Sequence, residues 1–265
     1  MNGANRLLFV VATNCTRSPK KRDVTNAFQA IELVGSKIHM AIPGGFESLH
    51  PGIGKEKCCL LKYDSINGLK QSGHDFYQNV DRILKDIGFR RKVDPCFYLQ
   101  HQLGNLLLVV IYVDDFLYVA ECNQIEAYFK EKLQQHIKFT GGEVCTDHLG
   151  LSISYSDEGF LLNQRTKIEN YCKKLQITKP AKSMHIDFNA SKMDNELLSD
   201  PEAFGYLNYL SLSSRPDVMC VSPILSAYSQ KPTKLGWQAV TKVFVYLLGT
   251  SNQGLFYEFN STDDK

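Results

Sequence analysis

The adjacent carboxylates Asp114 and Asp115 are the residues of this sequence whose types most directly suggest chemistry. Strongly apolar runs flank them at residues 106–113 and 116–120. Neighbouring residues of a regular strand point to opposite faces, so the two carboxylates can share a metal ion only where the chain turns. We therefore predict a β-hairpin whose turn runs from Tyr112 to Asp115. Like charges this close raise one carboxyl pKa unless a cation compensates, and Mg²⁺ prefers such oxygen ligands.

A third carboxylate, Asp23, follows a polar and basic loop predicted at residues 16–22. On a strand beside the hairpin, Asp23 would complete a site for two metal ions. Two ions about 3.5–4 Å apart stabilise the attacking and leaving oxygens of an in-line phosphoryl displacement. The alternative for Asp114-Asp115 is a solvated turn between two buried strands, which is the commoner meaning of so short a motif.

The elements that must position these residues follow from the spacing of apolar side chains. Residues 7–12 form a short helix or strand, since periodicity does not decide between them. The change from mixed strands and helices to helices near residue 156 predicts a subdomain boundary there. The predicted strands are residues 96–99, 106–113, 116–120, 149–154 and 160–162, and the predicted helices are residues 72–87, 123–137, 166–175, 201–212, 218–228 and 234–248.

The composition is that of an ordinary globular protein. The 265 residues include 30 basic and 28 acidic side chains, and 43% of the chain is hydrophobic, which excludes a disordered or collagen-like chain. The net charge of +2 still allows nucleic-acid binding, because a local basic face is enough. The eight cysteines form no C-x-x-C pair, which argues against a zinc ribbon or a redox motif. Their scattered positions are typical of the reduced cysteines of an intracellular protein. The longest apolar runs are too short to cross a membrane, so we expect no membrane partner.

The segment Tyr112-Val113-Asp114-Asp115, with Asp23-x-x-x-Ala27-Phe28 upstream, resembles the palm domain of retroelement reverse transcriptases. The closer resemblance is to the copia-type branch of LTR retrotransposons, whose motifs occur here in order over residues 7–257. These motifs are Ile38-x-Met40-x-x-Pro43-x-Gly45-Phe46-Glu47, Gly68-Leu69-Lys70-Gln71-Ser72, Gly88-Phe89, Asp94-Pro95-Cys96-Phe97, Leu149-Gly150-Leu151, Arg215-Pro216-Asp217-Val218, Lys231-Pro232-Thr233-x-x-x-Trp237-x-Ala239 and Tyr246-Leu247-Leu248-Gly249-Thr250.

The resemblance implies an α+β fold, a right-hand polymerase palm with partial fingers followed by a helical thumb and connection. Residues 1–155 would hold the partial fingers and palm, and residues 156–265 the thumb and connection, lacking RNase H. The implied function is that of an RNA-directed DNA polymerase fragment of a Pol polyprotein, working by two-metal nucleotidyl transfer. The implied cofactors are two Mg²⁺ ions, and the partners are dNTPs and an RNA or DNA template with its primer. Integrase and RNase H segments would belong to the Pol polyprotein of the parent element. The implied location is intracellular, in the cytoplasm with access to the nucleus.

The resemblance also implies roles for individual residues. Asp23 and Asp114 match the main metal ligands, with Asp115 assisting, and Phe28 matches the aromatic steric gate that excludes a ribose 2′-hydroxyl. Without the resemblance, Phe28 reads as a core residue and residues 68–71 as a solvated turn. The residues expected near template and incoming nucleotide are Gly68, Leu69, Lys70 and Gln71, and those expected against the primer end and template are Tyr112 and Val113.

Several departures from the copia-type pattern leave other functions open. Asn67 stands where a tyrosine is usual, His74 stands where an arginine is typical, and the basic loop replaces a mostly uncharged segment. Most of the fingers would lie upstream of the first residue, as in the excised middle of a polyprotein or a genomic remnant. The alternatives are an inactive transposon remnant, a nucleic-acid-binding protein, or another palm-type nucleotidyltransferase such as a repair polymerase. Two basic stretches, residues 85–92 and 165–174, are either backbone-binding surfaces or solvated faces.

Overall fold

The computed structural model describes residues 3–25, 38–52, 58–61, 69–92, 94–102, 104–186, 201–227, 229 and 234–260. The helices are α1 Gly3–Asn14, α2 Phe46–Leu49, α3 Ser72–Asp86, α4 Asn123–Gln134, α5 Arg165–Lys174, α6 Pro201–Ser213, α7 Val221–Ser226 and α8 Lys234–Gly249. The strands are β1 Lys20–Val24, β2 Ile38–Ala41, β3 Cys58–Leu61, β4 Arg90–Arg91, β5 Phe97–Gln102, β6 Asn105–Tyr112, β7 Asp115–Ala120, β8 Phe139–Val144, β9 Asp147–His148, β10 Leu151–Ser156, β11 Gly159–Asn163 and β12 Leu255–Glu258.

The chain divides into two compact units. One is Arg17–Val144, and the other combines Met1–Thr16 with Cys145–Lys265. The fold of the described residues is a mixed α/β fold of helices and antiparallel sheets. The sequence-based boundary between residues 155 and 156 stays a prediction.

The Arg17–Val144 unit is built on a six-stranded antiparallel sheet in the order β4-β5-β6-β7-β1-β8. Helices α3 and α4 share one buried core with this sheet, because their apolar residues recur at helical spacing. The residues that form this core include Phe76, Val80 and Leu84 of α3, Ile125 and Phe129 of α4, and Tyr98, Val109 and Tyr118 of the sheet. Strands β2 and β3 form a separate antiparallel pair.

The predicted hairpin is confirmed. Strands β6 and β7 pair from Leu107↔Ala120 to Tyr112↔Asp115, which leaves two residues in the turn. The predicted helix at residues 72–87 is also confirmed as α3.

The prediction of a basic loop at residues 16–22 is correct for residues 16–19 and wrong for residues 20–22. Lys20–Val24 is strand β1, which lies between β7 and β8 in the sheet. The alternation that marks a strand is hidden here because charged side chains occupy its inward positions. Arg22 is buried, and Lys20 bonds the buried Glu126.

The second unit has a four-stranded antiparallel sheet in the order β12-β11-β10-β9, and helix α1 packs on it through Phe9. The run at residues 7–12, which periodicity left open, is helical. The prediction that the chain beyond Leu162 is mainly helical is confirmed for the described residues, with the addition of strand β12, which completes this sheet. The predicted helix at residues 218–228 is shorter, since a 3₁₀ turn at Pro216–Val218 precedes α7.

A buried guanidinium, that of Arg215, joins the 3₁₀ turn at Pro216–Val218 to the end of helix α8. Arg215 is 1% exposed, and its Nε and Nη2 donate to the two carboxylate oxygens of Asp217 at 2.9 and 2.7 Å. Its Nη1 and Nη2 donate to the carbonyl and hydroxyl oxygens of Thr250 at 3.1 and 2.6 Å. Such two-pronged pairing is the geometry that a planar guanidinium favours. Among the described residues no cysteine forms a disulfide, and none of the described helices is long and apolar enough to cross a membrane.

Candidate active site

Strand pairing brings Asp23 opposite Asp115. These two residues are partners in the antiparallel register of β1 and β7, so their side chains leave the sheet on the same face. The backbone N–H of Val24 donates to the Asp114 carbonyl oxygen at 3.0 Å, which ties the end of β1 to the hairpin turn. Two residues far apart in the sequence therefore meet because the basic segment is a strand.

The hairpin turn itself has an unusual backbone. Val113 has a φ of 57°, in the left-handed region that a β-branched side chain rarely adopts. Strain of this kind is concentrated at functional sites, where the surrounding structure holds it in place. The side chains of Tyr112 and Val113 are about half exposed at the turn, at 52% and 49%.

Lys21 contacts both carboxylates. It lies two residues before Asp23, on the same face of β1, and its Nζ is 3.2 Å from Asp115 Oδ1 and 3.7 Å from Asp23 Oδ1. Burial raises the pKa of Asp115 to about 6, the hydrogen bond with the Asp23 carboxyl adds to the rise, and Lys21 opposes it. Burial and the neighbouring acid therefore outweigh Lys21 and favour the protonated form of Asp115. Sequence reasoning missed Lys21, and its i−2 spacing from Asp23 becomes informative only once the segment is known to be a strand.

The opposite face of β1 is anchored by a second charged cluster. Lys20 Nζ bonds the two Glu126 oxygens at 2.7 and 2.9 Å, and Lys130 Nζ lies 2.6 Å from Glu126 Oε1. The Tyr118 hydroxyl also donates to Glu126, at 3.2 Å. Burial alone would raise the pKa of Glu126, but the hydrogen bonds from Lys130 and Lys20 outweigh it and lower that pKa. Glu126 therefore stays ionised and holds β1 against helix α4.

Two glycines of β8, Gly141 and Gly142, leave room for β1 to pack closely against that strand. Gly141 and Gly142 both have positive φ, at 80° and 106°, beside a register shift between Lys21 and Arg22. A Cβ on Gly142 would lie 2.7 Å from Nη2 of Arg22, so the guanidinium needs the space that glycine leaves. Beyond this bulge the pairing of β1 with β8 is shifted by one residue, so that Asp23 lies opposite Thr140.

The remaining predicted site residues are only partly described. Lys70 is exposed just before α3, and the carbonyl of Gln71 accepts the Asp75 N–H at 2.9 Å in the first turn of that helix. Phe28 and Gly68 lie outside the described residues. Asp114 is exposed at the turn.

The carboxylate oxygens of the site are the ligand type that a hard cation prefers, although the described side chains are not arranged around a common point. Of the residues that the structure describes, no three His, Cys, Asp or Glu side chains form a group that could hold a metal ion. Asp23 and Asp115 nevertheless offer oxygen ligands of the kind Mg²⁺ prefers. By the chemistry of these oxygens, Asp23 and Asp115 fit a divalent cation, and the exposed Asp114 is the next carboxylate along the chain.

The basic stretches singled out in the sequence are largely paired within the protein. Lys85 Nζ bonds Asp81 at 2.6 Å, and Arg91 lies 3.6 Å from the same carboxyl group. In α5, Arg165 bonds Glu169 at 2.8 Å. These contacts favour solvated faces stabilised by ion pairs over free phosphate-binding surfaces at these positions.

Comparisons with known proteins identify the family of this chain. The sequence model of the family described as "Reverse transcriptase (RNA-dependent DNA polymerase)" matches residues 3–186. The chain belongs to this family, and the resemblance to copia-type retrotransposon reverse transcriptases is confirmed.

Similar curated proteins are polyproteins of plant transposons. Two come from Arabidopsis thaliana, the Retrovirus-related Pol polyproteins from transposons RE2 and RE1, which are 26% and 27% identical over 97% of this chain. A third, from transposon TNT 1-94 of Nicotiana tabacum, is 25% identical over 95% of this chain. The matched regions are 18%, 18% and 20% of these polyproteins, so the chain spans about a fifth of their length.

Proposed function

We propose that this chain is the polymerase portion of a retrotransposon Pol polyprotein and that it catalyses RNA-directed DNA synthesis. The observation that carries the proposal is the pairing of Asp23 with Asp115 across β1 and β7, beside the turn that holds Asp114, in a member of the reverse transcriptase family. The substrates would be dNTPs and a primer annealed to an RNA or DNA template. The other partners would be further segments of the same polyprotein, integrase and RNase H.

The two parts of the chain are proposed to form different parts of the polymerase. Residues 1–155 would supply the palm with part of the fingers, and residues 156–265 the thumb and connection. The palm proposal is supported by the antiparallel sheet backed by α3 and α4, which holds the hairpin and β1 rigidly together. A rigid support is what transfer chemistry needs, because misplacement by about 1 Å costs about 100-fold in rate.

In the proposed mechanism, Asp23, Asp114 and Asp115 would hold two Mg²⁺ ions. When bound, these ions supply the positive charge that stabilises the attacking and leaving oxygens of nucleotidyl transfer. The chain's own part is positioning. Tyr112 and Val113, exposed at the turn, would lie against the primer end and template. The protein itself would form no covalent bond to the substrate, because positioning and charge stabilisation account for most of the catalysis of such transfers.

Nucleotide selection is proposed to depend on a second group of residues. Phe28 would close the space at C2′ of the sugar, so that a ribose hydroxyl is rejected. Gly68, Lys70 and Gln71 would lie near the template and the incoming nucleotide, where a lysine suits phosphate. The exposure of Lys70, ahead of α3, is compatible with this role.

Primer extension tests the proposal. The purified chain is given a primer annealed to an RNA template, dNTPs and Mg²⁺, beside Asp114→Asn and the control Asp157→Asn. Asp157 is an exposed residue of the turn between β10 and β11, so its variant carries the same charge change away from the site. We expect extension by the wild type and the control and none by Asp114→Asn. Extension by Asp114→Asn would refute the role of this carboxylate.

The same preparation separates the polymerase from its alternatives. A chain that binds the primer–template in a gel-shift assay but extends nothing would be a nucleic-acid-binding protein or an inactive remnant. Extension on a DNA template alone, with none on RNA, would favour a repair-type nucleotidyltransferase.

A further inference from the structure

A lysine ammonium lies between the two carboxylates that the proposed function needs for metal binding. Lys21 Nζ is 3.2 Å from Asp115 Oδ1 and 3.7 Å from Asp23 Oδ1. The side chains of Lys21 and Asp115 are 23% and 21% exposed, so water screens this contact only in part. The ammonium thus provides part of the charge compensation that a divalent cation would otherwise provide.

The ammonium and a divalent cation compete for the Oδ1 atoms of Asp23 and Asp115. Mg²⁺ binds carboxylate oxygens at about 2.0–2.1 Å, so an ammonium in contact with the same oxygens would lie within a few ångströms of it. At such distances the two positive charges repel each other strongly. A cation therefore binds the Oδ1 atoms of Asp23 and Asp115 without this repulsion only when the Lys21 side chain moves away.

The structure allows the Lys21 side chain to move without disturbing the strand. Its ammonium is carried on a flexible four-carbon stem. The backbone of β1 is held from the other face, where Lys20 bonds Glu126 and the Arg22 guanidinium packs against Gly142. Displacement of Lys21 thus costs its own ion pairs and leaves the position of Asp23 unchanged.

We propose that Lys21 is an internal counter-ion that competes with divalent cations for Asp23 and Asp115. It holds the two carboxylates together before a cation binds, and it raises the cation concentration that the site requires. This inference rests on the proposed function, since it assumes that these carboxylates bind the catalytic cations. Lys21 acts in it as a positioning and tuning residue.

Direct Mn²⁺ binding tests this proposal without reference to catalysis. Free Mn²⁺ is measured by electron paramagnetic resonance during titration of the wild type, Lys21→Gln and Lys21→Met. The matched control is Lys92→Gln, which removes the same charge from an exposed lysine next to β4, the edge strand of the same sheet. We expect the two Lys21 variants to bind Mn²⁺ about fivefold more tightly than the wild type. Lys92→Gln should bind as the wild type does.

The direction of the change distinguishes competition from a structural role. Loss of a merely structural contact would loosen the site and weaken Mn²⁺ binding, whereas loss of a competitor strengthens it. The gain must also disappear when Asp115→Asn is combined with Lys21→Gln. Binding that is unchanged or weaker in both Lys21 variants, or that does not depend on Asp115, would overturn the proposal.

The outcomes for the two proposals are separable. Tighter Mn²⁺ binding by the Lys21 variants of a chain that extends no primer supports the counter-ion and counts against the polymerase. Primer extension that depends on Asp114, with Mn²⁺ affinity indifferent to Lys21, supports the polymerase and refutes the counter-ion.

Discussion

Replacement of Asp115 by Asn tests the electrostatics of the site through the stability of the protein. Burial and the neighbouring Asp23 carboxyl raise the pKa of Asp115 from 3.8 to about 6 in the folded protein. Between these values the folded state binds more protons than the unfolded state, so stability falls as the pH rises through this window. Asp115→Asn removes this titration. The variant should therefore show a flatter pH dependence and a higher free energy of unfolding at neutral pH than the wild type.

The size of the effect follows from the exposure of the pair. A pKa rise from 3.8 to about 6 corresponds to at most about 3 kcal/mol for a fully buried group. The Asp23 side chain is 55% exposed, so solvent screens the pair and we expect about 1 kcal/mol. This value already includes the loss of the contact between Asp115 and Lys21, which opposes the rise.

Urea unfolding followed by far-ultraviolet circular dichroism, with EDTA present, measures this prediction. The single tryptophan, Trp237, lies in the other compact unit, so its fluorescence would report on the wrong part of the chain. Asp157→Asn serves as the control for charge removal. A variant less stable than the wild type at neutral pH, or with an unchanged pH dependence, would refute the argument that burial and the Asp23 carboxyl disfavour the ionised form of Asp115.

Three further predictions, the first with a comparison variant, concern the support of strand β1, the buried pair of Arg215 with Asp217, and nucleotide choice. Gly142→Ala should lower the free energy of unfolding by about 1–3 kcal/mol in urea titrations, because its Cβ would meet the Arg22 guanidinium and its φ is positive. Gly205→Ala, in a helix with open space around it, should instead raise stability by about 0.5–1 kcal/mol, and a loss there would contradict the contact argument. Arg215→Met should cost about 3 kcal/mol, because it leaves a partly buried carboxylate without its guanidinium, and a neutral result would show that the pair is dispensable. Phe28→Ala should increase incorporation of rNTPs relative to dNTPs in primer extension, and unchanged discrimination would assign Phe28 to the core.

The parts of the fold that the sequence predicted are those in which apolar spacing is decisive. The hairpin was predictable because two apolar runs are interrupted by charge at Asp114-Asp115. Helix α3 was predictable because Phe76, Val80 and Leu84 recur on one face and Gly88 ends the pattern.

Strand β1 and its consequences were not predictable from spacing. Its inward side chains, Lys20 and Arg22, are charged. Lys20 is acceptable there because Glu126 on a distant helix neutralises it, and Arg22 lies buried beside Gly142. The partner of Asp23 likewise depends on which strands pair, since Asp115 meets it only across β1 and β7. A single sequence holds no local signal for either contact. The family resemblance identified the carboxylates as a set, and the strand register supplied their neighbour Lys21.

The central claim is that the fold joins Asp23 to the hairpin carboxylates in one site for nucleotidyl transfer. Mg²⁺-dependent primer extension on an RNA template by Asp23→Asn tests it most directly, because strand pairing alone brings Asp23 to the hairpin. The account predicts that Asp23→Asn folds as the wild type does, by circular dichroism, and extends no primer, while Asp157→Asn remains active. Undiminished extension by a folded Asp23→Asn would contradict it.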